Sequence, residues 1–125
     1  MKNIINTPNA PAPIGPYNQA VMSGDMLFIS GQIALIPGTA QLSDSDIAAE
    51  ANQVMKNLQA ILTEAGMDFS HVVKTTIFLS DMSLFTQVNE IYGSYFTTDY
   101  PARETVAVKG LPKNVNVEIS MTASK

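Results

Sequence analysis

The sequence contains no cysteine, which excludes disulfide bonds, thiolate metal ligands and a cysteine nucleophile. A chain without cysteine fits a reducing compartment. It also has a single histidine, His71, so a Ser-His-Asp triad or a histidine metal site lacks the residues it needs. Because His71 lies at the edge of a predicted strand with no acid and nucleophile nearby, we expect it to have a structural or surface role.

Positive charge is also scarce. Seven Lys and Arg residues stand against eleven Asp and Glu residues, which gives a formal net charge of −4. Arg103 is the single arginine, and no Lys/Arg cluster exists. Binding to a phosphate backbone requires concentrated positive charge, so we expect no nucleic-acid partner.

Long apolar runs are missing too. No stretch approaches the roughly 18 apolar residues that span a bilayer, and the start of the chain lacks the apolar run of a signal peptide. We therefore expect a cytoplasmic protein with no membrane partner. The length of 125 residues fits one domain, 1–125. With 46% hydrophobic and 14% charged residues, the surface must be poor in charge or partly covered by other subunits.

The hydrophobic periodicity predicts an α+β fold. Two segments follow helical spacing: one is capped near 43–46 and stops at Gly66, and the other covers 81–98 with Asp81 or Ser83 as its cap. The remaining predicted elements are an extended arm at 8–16, a hairpin of 17–22 and 26–36, a buried central strand at 71–80 and a C-terminal hairpin. Two helices can cover only one face of a mixed sheet. The other face still carries apolar side chains, which predicts a closed homo-oligomer.

The C-terminal segment, 101–124, alternates apolar and polar residues on both sides of a turn at 110–114. If these two strands pair as a hairpin, Glu118 falls close to Thr105, and Arg103 lies one same-face step away. The hairpin therefore predicts Arg103, Thr105 and Glu118 on one face of the sheet. They could form a surface ion pair. Alternatively, Arg103 could clamp a substrate carboxylate while Glu118 handles a water or a proton.

Two further segments allow a structural and a functional interpretation. Gly31 interrupts an apolar strand beside Ser30, as in a β-bulge with or without a ligand against it. The proline-rich arm at 8–16 either delivers Tyr17 to a defined position or only covers the body of the domain.

Several short motifs occur in one order along the whole chain. They are APIGPY at 12–17, FISGQ at 28–32, VKTT at 73–76, VN at 88–89, PAR at 101–103, LPK at 111–113 and VEI at 117–119. Together they resemble the RidA (YjgF, reactive intermediate deaminase) family. The resemblance implies a homotrimer with a barrel-like centre and with sites in the clefts between subunits.

The resemblance also implies a chemistry: hydrolysis of reactive enamines and 2-imino acids to 2-keto acids and ammonia, without a cofactor. Arg103 would hold the substrate carboxylate and Glu118 would activate water. The main chain of Thr105 would contact the substrate, and the pocket would be lined by Tyr17, Ser30, Gly31 and Asn89. Two residues depart from the family pattern: Thr105 stands where many relatives have cysteine, and Glu104 replaces a small residue. Alternation predicts that Glu104 lies on the face opposite Arg103.

Two other functions use the same residues differently. A regulatory module that senses 2-keto acids would need Arg103 but not Glu118. RNA cleavage, which some relatives of this family are reported to show, is disfavoured by the acidic composition.

Overall fold

The computed structural model describes residues 2–125, which form one six-stranded sheet and two α-helices. In chain order the elements are β1 (Lys2–Ile5), β2 (Ala20–Ser23), β3 (Met26–Gln32), α1 (Ile47–Glu64), β4 (Val72–Leu79), α2 (Phe85–Gly93), β5 (Ala102–Ala107) and β6 (Val117–Ser124). The strands lie side by side in the order β1-β2-β3-β6-β4-β5. Among the strands of residues 2–125, β4 and β5 alone run parallel, so the sheet is mixed and the α+β prediction is confirmed.

Helix α1 begins and ends where the sequence predicts. Asp46 is its N-cap, and the Oδ1 atom accepts a hydrogen bond of 2.7 Å from the Ala49 amide. At the other end Gly66 has φ +72°, a left-handed conformation that favours glycine, and Met67 N–H donates to the Leu62 carbonyl. The buried stripe of α1 packs over β3 and β6.

Both helices cover the same face of the sheet. On β6 the core side chains Val117, Ile119 and Met121 alternate with Glu118 and Ser120, which face the other side. That other face is open in this chain and exposes apolar side chains, with Phe28 49% and Val106 44% accessible. The homo-oligomer inferred from this face remains a prediction.

The predicted C-terminal hairpin is wrong. β5 and β6 do not pair, because β4 lies between them. β4 is parallel to β5 and antiparallel to β6, with Thr75 opposite Arg103 on one side and Phe78 opposite Glu118 on the other. The turn signal at 110–114 marks a real change of direction, with positive φ at Lys113 and Asn114, but the chain returns one strand further along the sheet.

Three other predicted elements need smaller corrections. The N-terminal hairpin forms around Gly24, but its strands are shorter than predicted. The central strand is internal to the sheet as β4, yet helices cover only one of its faces. The second helix begins at Phe85, because Asp81 caps a single 3₁₀ turn, Met82–Leu84, instead. It ends at Gly93, and Phe96 beyond it packs edge-on against Phe69. Neither helix within residues 2–125 has both the length and the apolar character needed to cross a membrane.

Candidate active site

The carboxylate of Glu118 lies in a small cavity of about 60 Å³ at the end of the sheet. Glu118 projects from β6, and Tyr17 and Gly31 form part of the wall beside it. Other lining residues are Pro11, Ala12, Ile14, Gln19, Gln32, Ile33, Leu35 and Pro112. Three of the residues predicted for the site therefore come together here. We call this cavity the Glu118 half-site.

Because Gly31 has no side chain, the Glu118 side chain can occupy the space beside it. The pairing of β3 with β6 shifts between Ile29 and Gln32, so the predicted bulge is confirmed. A Cβ atom on Gly31 would lie 2.7 Å from Oε2 and 2.9 Å from Cδ of Glu118. Real Cβ atoms essentially never approach another atom so closely. A side chain at position 31 would therefore displace the carboxylate.

The N-terminal arm that carries Tyr17 is fixed by the buried side chain of Gln19. Its Nε2 atom donates to the carbonyls of Thr7, Ala10 and Pro11 at 2.8 to 3.2 Å, and its Oε1 atom accepts from the Thr7 amide. Ser30 adds another restraint, because its hydroxyl donates to the Asn18 carbonyl at 2.6 Å. Ser30 is therefore next to the Glu118 half-site but does not line it.

Arg103 belongs to a second cavity on the helix-covered side of β5. Its Nη1 atom donates to Oδ1 of Asn89 at 2.8 Å, so these two predicted site residues also come together. The guanidinium carbon lies 5.1 Å from the centre of the Tyr92 ring and 5.7 Å from that of Phe85. Residues lining this cavity, which we call the Arg103 half-site, are Asn89, Tyr92, Gly93, Tyr100, Pro101 and Arg103.

The prediction that Arg103, Thr105 and Glu118 share one face is wrong. Arg103 and Thr105 pair with Thr75 and Ile77, whose side chains are buried under the helices. Glu118 pairs with Phe78 and faces the opposite side. Two strand spacings and three residues along β4 separate the backbones of Arg103 and Glu118, a distance of about 14 Å. The hairpin assumption produced this error, because inserting β4 changes both the register and the face.

Burial affects the titration of one group in each half-site. It raises the pKa of Glu118 above its ordinary value, because water is partly excluded from the carboxylate. Burial also raises the pKa of Tyr92, and the hydrogen bond to Thr75 and the charge of Arg103 oppose the shift. Tyr92 therefore keeps its proton at neutral pH.

The two residues that depart from the family pattern lie on opposite faces. Glu104 points away from Arg103, as predicted, and lies 3.3 Å from Nζ of Lys74. Thr105 is close to the Arg103 half-site without lining it. Its Oγ1 atom is buried and makes no hydrogen bond within the part of the chain that the structure describes.

Sequence reasoning missed three residues that hold the half-sites in place. Glu50 is 1% exposed, and its carboxylate accepts from the amides of Asn116 and Val117 at 2.7 and 2.9 Å, directly before Glu118. Gln19 and Tyr92 were missed as well. Glu50 could have been noticed as a charged residue on the apolar stripe of a predicted helix. Nothing in the neighbouring sequence indicated that it would bond to Asn116 and Val117. Within residues 2–125, no three Asp, Glu or His side chains form a group able to hold a metal ion.

Comparison with known proteins identifies the family. The sequence pattern of the family described as Endoribonuclease L-PSP matches residues 7–125. The human 2-iminobutanoate/2-iminopropanoate deaminase is 46% identical over 98% of this chain and 90% of its own. The chain belongs to the RidA family. A further relative, protein DfrA of Myxococcus xanthus, is 50% identical over 98% of this chain and 95% of its own.

A solved structure supports the same assignment for the fold. The Rid-family protein YyfA of Yersinia pestis, described as a protein of unknown function, superposes with a TM-score of 0.96. The two chains are 44% identical, and the match covers 100% of each. The RidA fold predicted from the sequence is therefore confirmed, and relatives with this fold include both deaminases and proteins without an assigned activity.

Proposed function

We propose that this RidA-family chain hydrolyses 2-imino acids, such as 2-iminopropanoate and 2-iminobutanoate, to 2-keto acids and ammonia. Arg103 binds the substrate carboxylate, and Glu118 activates the attacking water. The observation that carries the proposal is the partly buried Glu118 carboxylate in a cavity with Tyr17 and Gly31. Identity of 46% to the human deaminase over 98% of this chain supports the choice of reaction.

One subunit alone does not bring Arg103 and Glu118 to the same substrate. In a 2-imino acid the carboxylate carbon is bonded directly to the imine carbon, so one substrate cannot bridge groups about 14 Å apart on opposite faces of a sheet. We therefore propose that the Glu118 half-site of one subunit meets the Arg103 half-site of the next. A closed ring of such contacts, a homotrimer in this proposal, makes every half-site part of one composite site.

In the composite site the guanidinium fork of Arg103 holds the planar carboxylate with charge-assisted hydrogen bonds. Glu118 takes a proton from water as the oxygen attacks the imine carbon, which becomes tetrahedral. The same carboxyl passes that proton to the nitrogen, which gives an intermediate with a hydroxyl and an amino group on one carbon. It then takes the hydroxyl proton and delivers it to the amino group, so that the C–N bond breaks, ammonia leaves and the C=O bond forms. The raised pKa of Glu118 suits this sequence, because the group must both accept and donate a proton near neutral pH.

RNA cleavage is the weaker proposal, although the family description names an endoribonuclease. A net charge of −4 and a single arginine offer little to a phosphate backbone.

The first experiment tests the two assigned residues separately. Arg103→Ala and Glu118→Gln are assayed with 2-iminobutanoate generated by a threonine dehydratase, and light scattering monitors the oligomer. We expect both variants to lose hydrolysis while staying assembled. Full activity in Arg103→Ala would refute the assignment. Calorimetry with 2-ketobutyrate on Glu118→Gln separates an enzyme from a sensor: binding in this variant, with no turnover even in the wild type, would favour the sensor.

The second experiment tests the composite site by complementation. Subunits carrying Arg103→Ala and subunits carrying Glu118→Gln are mixed in equal amounts, unfolded and reassembled. If each site takes one residue from each neighbour, random assembly gives about a quarter of the sites both intact residues, and about 25% of wild-type activity returns. A site confined to one subunit would stay inactive in every mixture, and that result would exclude the composite arrangement.

A further inference from the structure

We infer that Phe85 and Tyr92 on α2 are positioning residues: their rings form an aromatic clamp that fixes the guanidinium of Arg103 for carboxylate binding. The consequence for catalysis rests on the proposed function, whereas the clamp itself can be tested on the protein without substrate. No role in the reaction was assigned to either ring from the sequence.

The clamp is built from one face of α2. Phe85, Asn89 and Tyr92 are four and three residues apart, so their side chains line up on the same side of the helix. The guanidinium carbon of Arg103 lies 5.7 Å from the Phe85 ring centre and 5.1 Å from the Tyr92 ring centre, both within the range of a cation–π contact. Asn89 accepts the 2.8 Å hydrogen bond from Nη1 between these two contacts.

Tyr92 is itself held by the strand next to Arg103. Its hydroxyl donates to Oγ1 of Thr75 at 2.9 Å, and the two side chains are 4% and 0% exposed. Thr75 is the partner of Arg103 in the pairing of β4 with β5. The hydrogen bond therefore anchors the hydroxyl end of Tyr92 to the strand position that pairs with Arg103, whereas the ring itself makes the contact with the guanidinium.

The clamp orders Arg103 without neutralising its charge. Within residues 2–125, the salt bridges join His71 to Asp68 and Lys74 to Glu104, and Arg103 has no carboxylate partner. One of its five N–H groups is used by Asn89, which leaves four donors. Aromatic faces and an amide oxygen thus reduce the freedom of a long side chain on an edge strand. The positive charge and most of the donors remain available to a substrate carboxylate.

A spectroscopic test uses the fact that Arg103 is the single arginine. Labelling the protein with ¹⁵N-arginine gives one guanidinium signal, and its heteronuclear NOE reports the mobility of the Nε–Hε group. We expect a rigid signal in the wild type and in Tyr92→Phe, which keeps the ring. A mobile signal is expected in Tyr92→Leu and Phe85→Leu. Phe69→Leu is the matched control, because Phe69 is a buried aromatic that contacts Tyr95 and Phe96 rather than Arg103.

A kinetic test follows with the same variants. Tyr92→Leu should raise KM for 2-iminobutanoate about ten-fold and change kcat less than about three-fold, because carboxylate binding is equal in the ground and transition states. Tyr92→Phe should restore KM, although it loses the hydrogen bond to Thr75 and some thermal stability. If KM rises in both Tyr92→Leu and Tyr92→Phe, in proportion to the stability that each variant loses, the role of Tyr92 is merely structural.

The outcomes separate the clamp from the proposed function. An unchanged, rigid Arg103 signal in both Tyr92→Leu and Phe85→Leu would overturn the clamp whatever the enzyme does. If Tyr92→Leu does not fold, Phe85→Leu alone carries the test, since Phe85 is only partly buried. A wild-type protein that hydrolyses no imine would overturn the proposed function, and the NMR result would still decide whether the clamp exists.

Discussion

Replacing Gly31 with alanine should reduce catalysis much more than stability. The Cβ atom of the new residue would lie 2.7 Å from Oε2, 2.9 Å from Cδ and 3.1 Å from Cγ of Glu118. The φ angle of Gly31 is outside the left-handed region, so alanine introduces no backbone strain of that kind. The substitution therefore acts chiefly on the position of the Glu118 side chain.

The size of the displacement follows from these distances. An ordinary contact with a Cβ atom begins near 3.4 Å, so Oε2 at 2.7 Å must withdraw by roughly 0.7 Å. A misplacement of about 1 Å in a catalytic arrangement reduces the rate by about 100-fold. Because the half-buried Glu118 can rotate away, we expect a loss in unfolding free energy of about 1 kcal/mol, at the low end for overpacking.

The assay compares kcat for 2-iminobutanoate with the urea midpoint of unfolding. Gly110→Ala is the control, since a Cβ atom at Gly110 would meet nothing within 4 Å. We expect a loss of about 100-fold in kcat for Gly31→Ala and little change for Gly110→Ala. In the Glu118→Gln background, Gly31→Ala should reduce the small residual rate by a much smaller factor, because both substitutions disturb the same group. Wild-type kcat in Gly31→Ala, or an equal loss in both backgrounds, would refute the steric argument.

Two further predictions concern the carboxylates. Glu50→Gln should lower the unfolding free energy by about 2 kcal/mol in urea denaturation, because a glutamine oxygen that accepts from the amides of Asn116 and Val117 places its NH2 group against the donor Nδ2 of Asn116; a change near zero would contradict the anchoring role. Ionised Glu118 should destabilise the fold, because burial raises its pKa in the folded state. Its contribution to stability is fully present below the unfolded pKa of about 4.3, and it is lost as pH rises through the folded pKa. In the Arg103→Ala background, which has no guanidinium to offset burial, Glu118→Gln should therefore raise Tm at pH 8 and hardly at pH 4. Equal gains at both pH values would count against the burial effect.

Local signals predicted the elements well and their arrangement poorly. The cap within 43–46, which is Asp46, and the stop at Gly66 are decided by atoms within one turn of α1, so local signals predict them to within a few residues. The order of the strands depends instead on long-range contacts. A turn between two alternating segments fits a hairpin, but it fits equally well two strands separated by a third, and β4 is inserted in this way. The alternation pattern does not distinguish these arrangements.

The same limit applies to the site. Five of the seven residues that the resemblance selected line two cavities, but the resemblance could not assign them to faces, since faces depend on the sheet order. The hydrogen bonds that hold those residues in place could not be predicted either, because they join residues that are far apart in the sequence. Glu50 lies 66 residues from Asn116, to which it is bonded, and the hydroxyl of Tyr92 reaches a threonine 17 residues away.

In the proposed mechanism, the position of the two half-sites on opposite faces of one sheet makes catalysis depend on assembly. Within a subunit, β4 separates Arg103 on β5 from Glu118 on β6, and no side-chain rotation carries either group around the sheet. Each half is nevertheless prepared inside its own chain: α2 orders the guanidinium, and Gly31 leaves space for the carboxylate. The proposed interface would then have only to bring two preformed halves together, so little ordering entropy would remain to be lost when the site forms. A subunit on its own would bind a carboxylate at one face and hold a water at the other without joining the two.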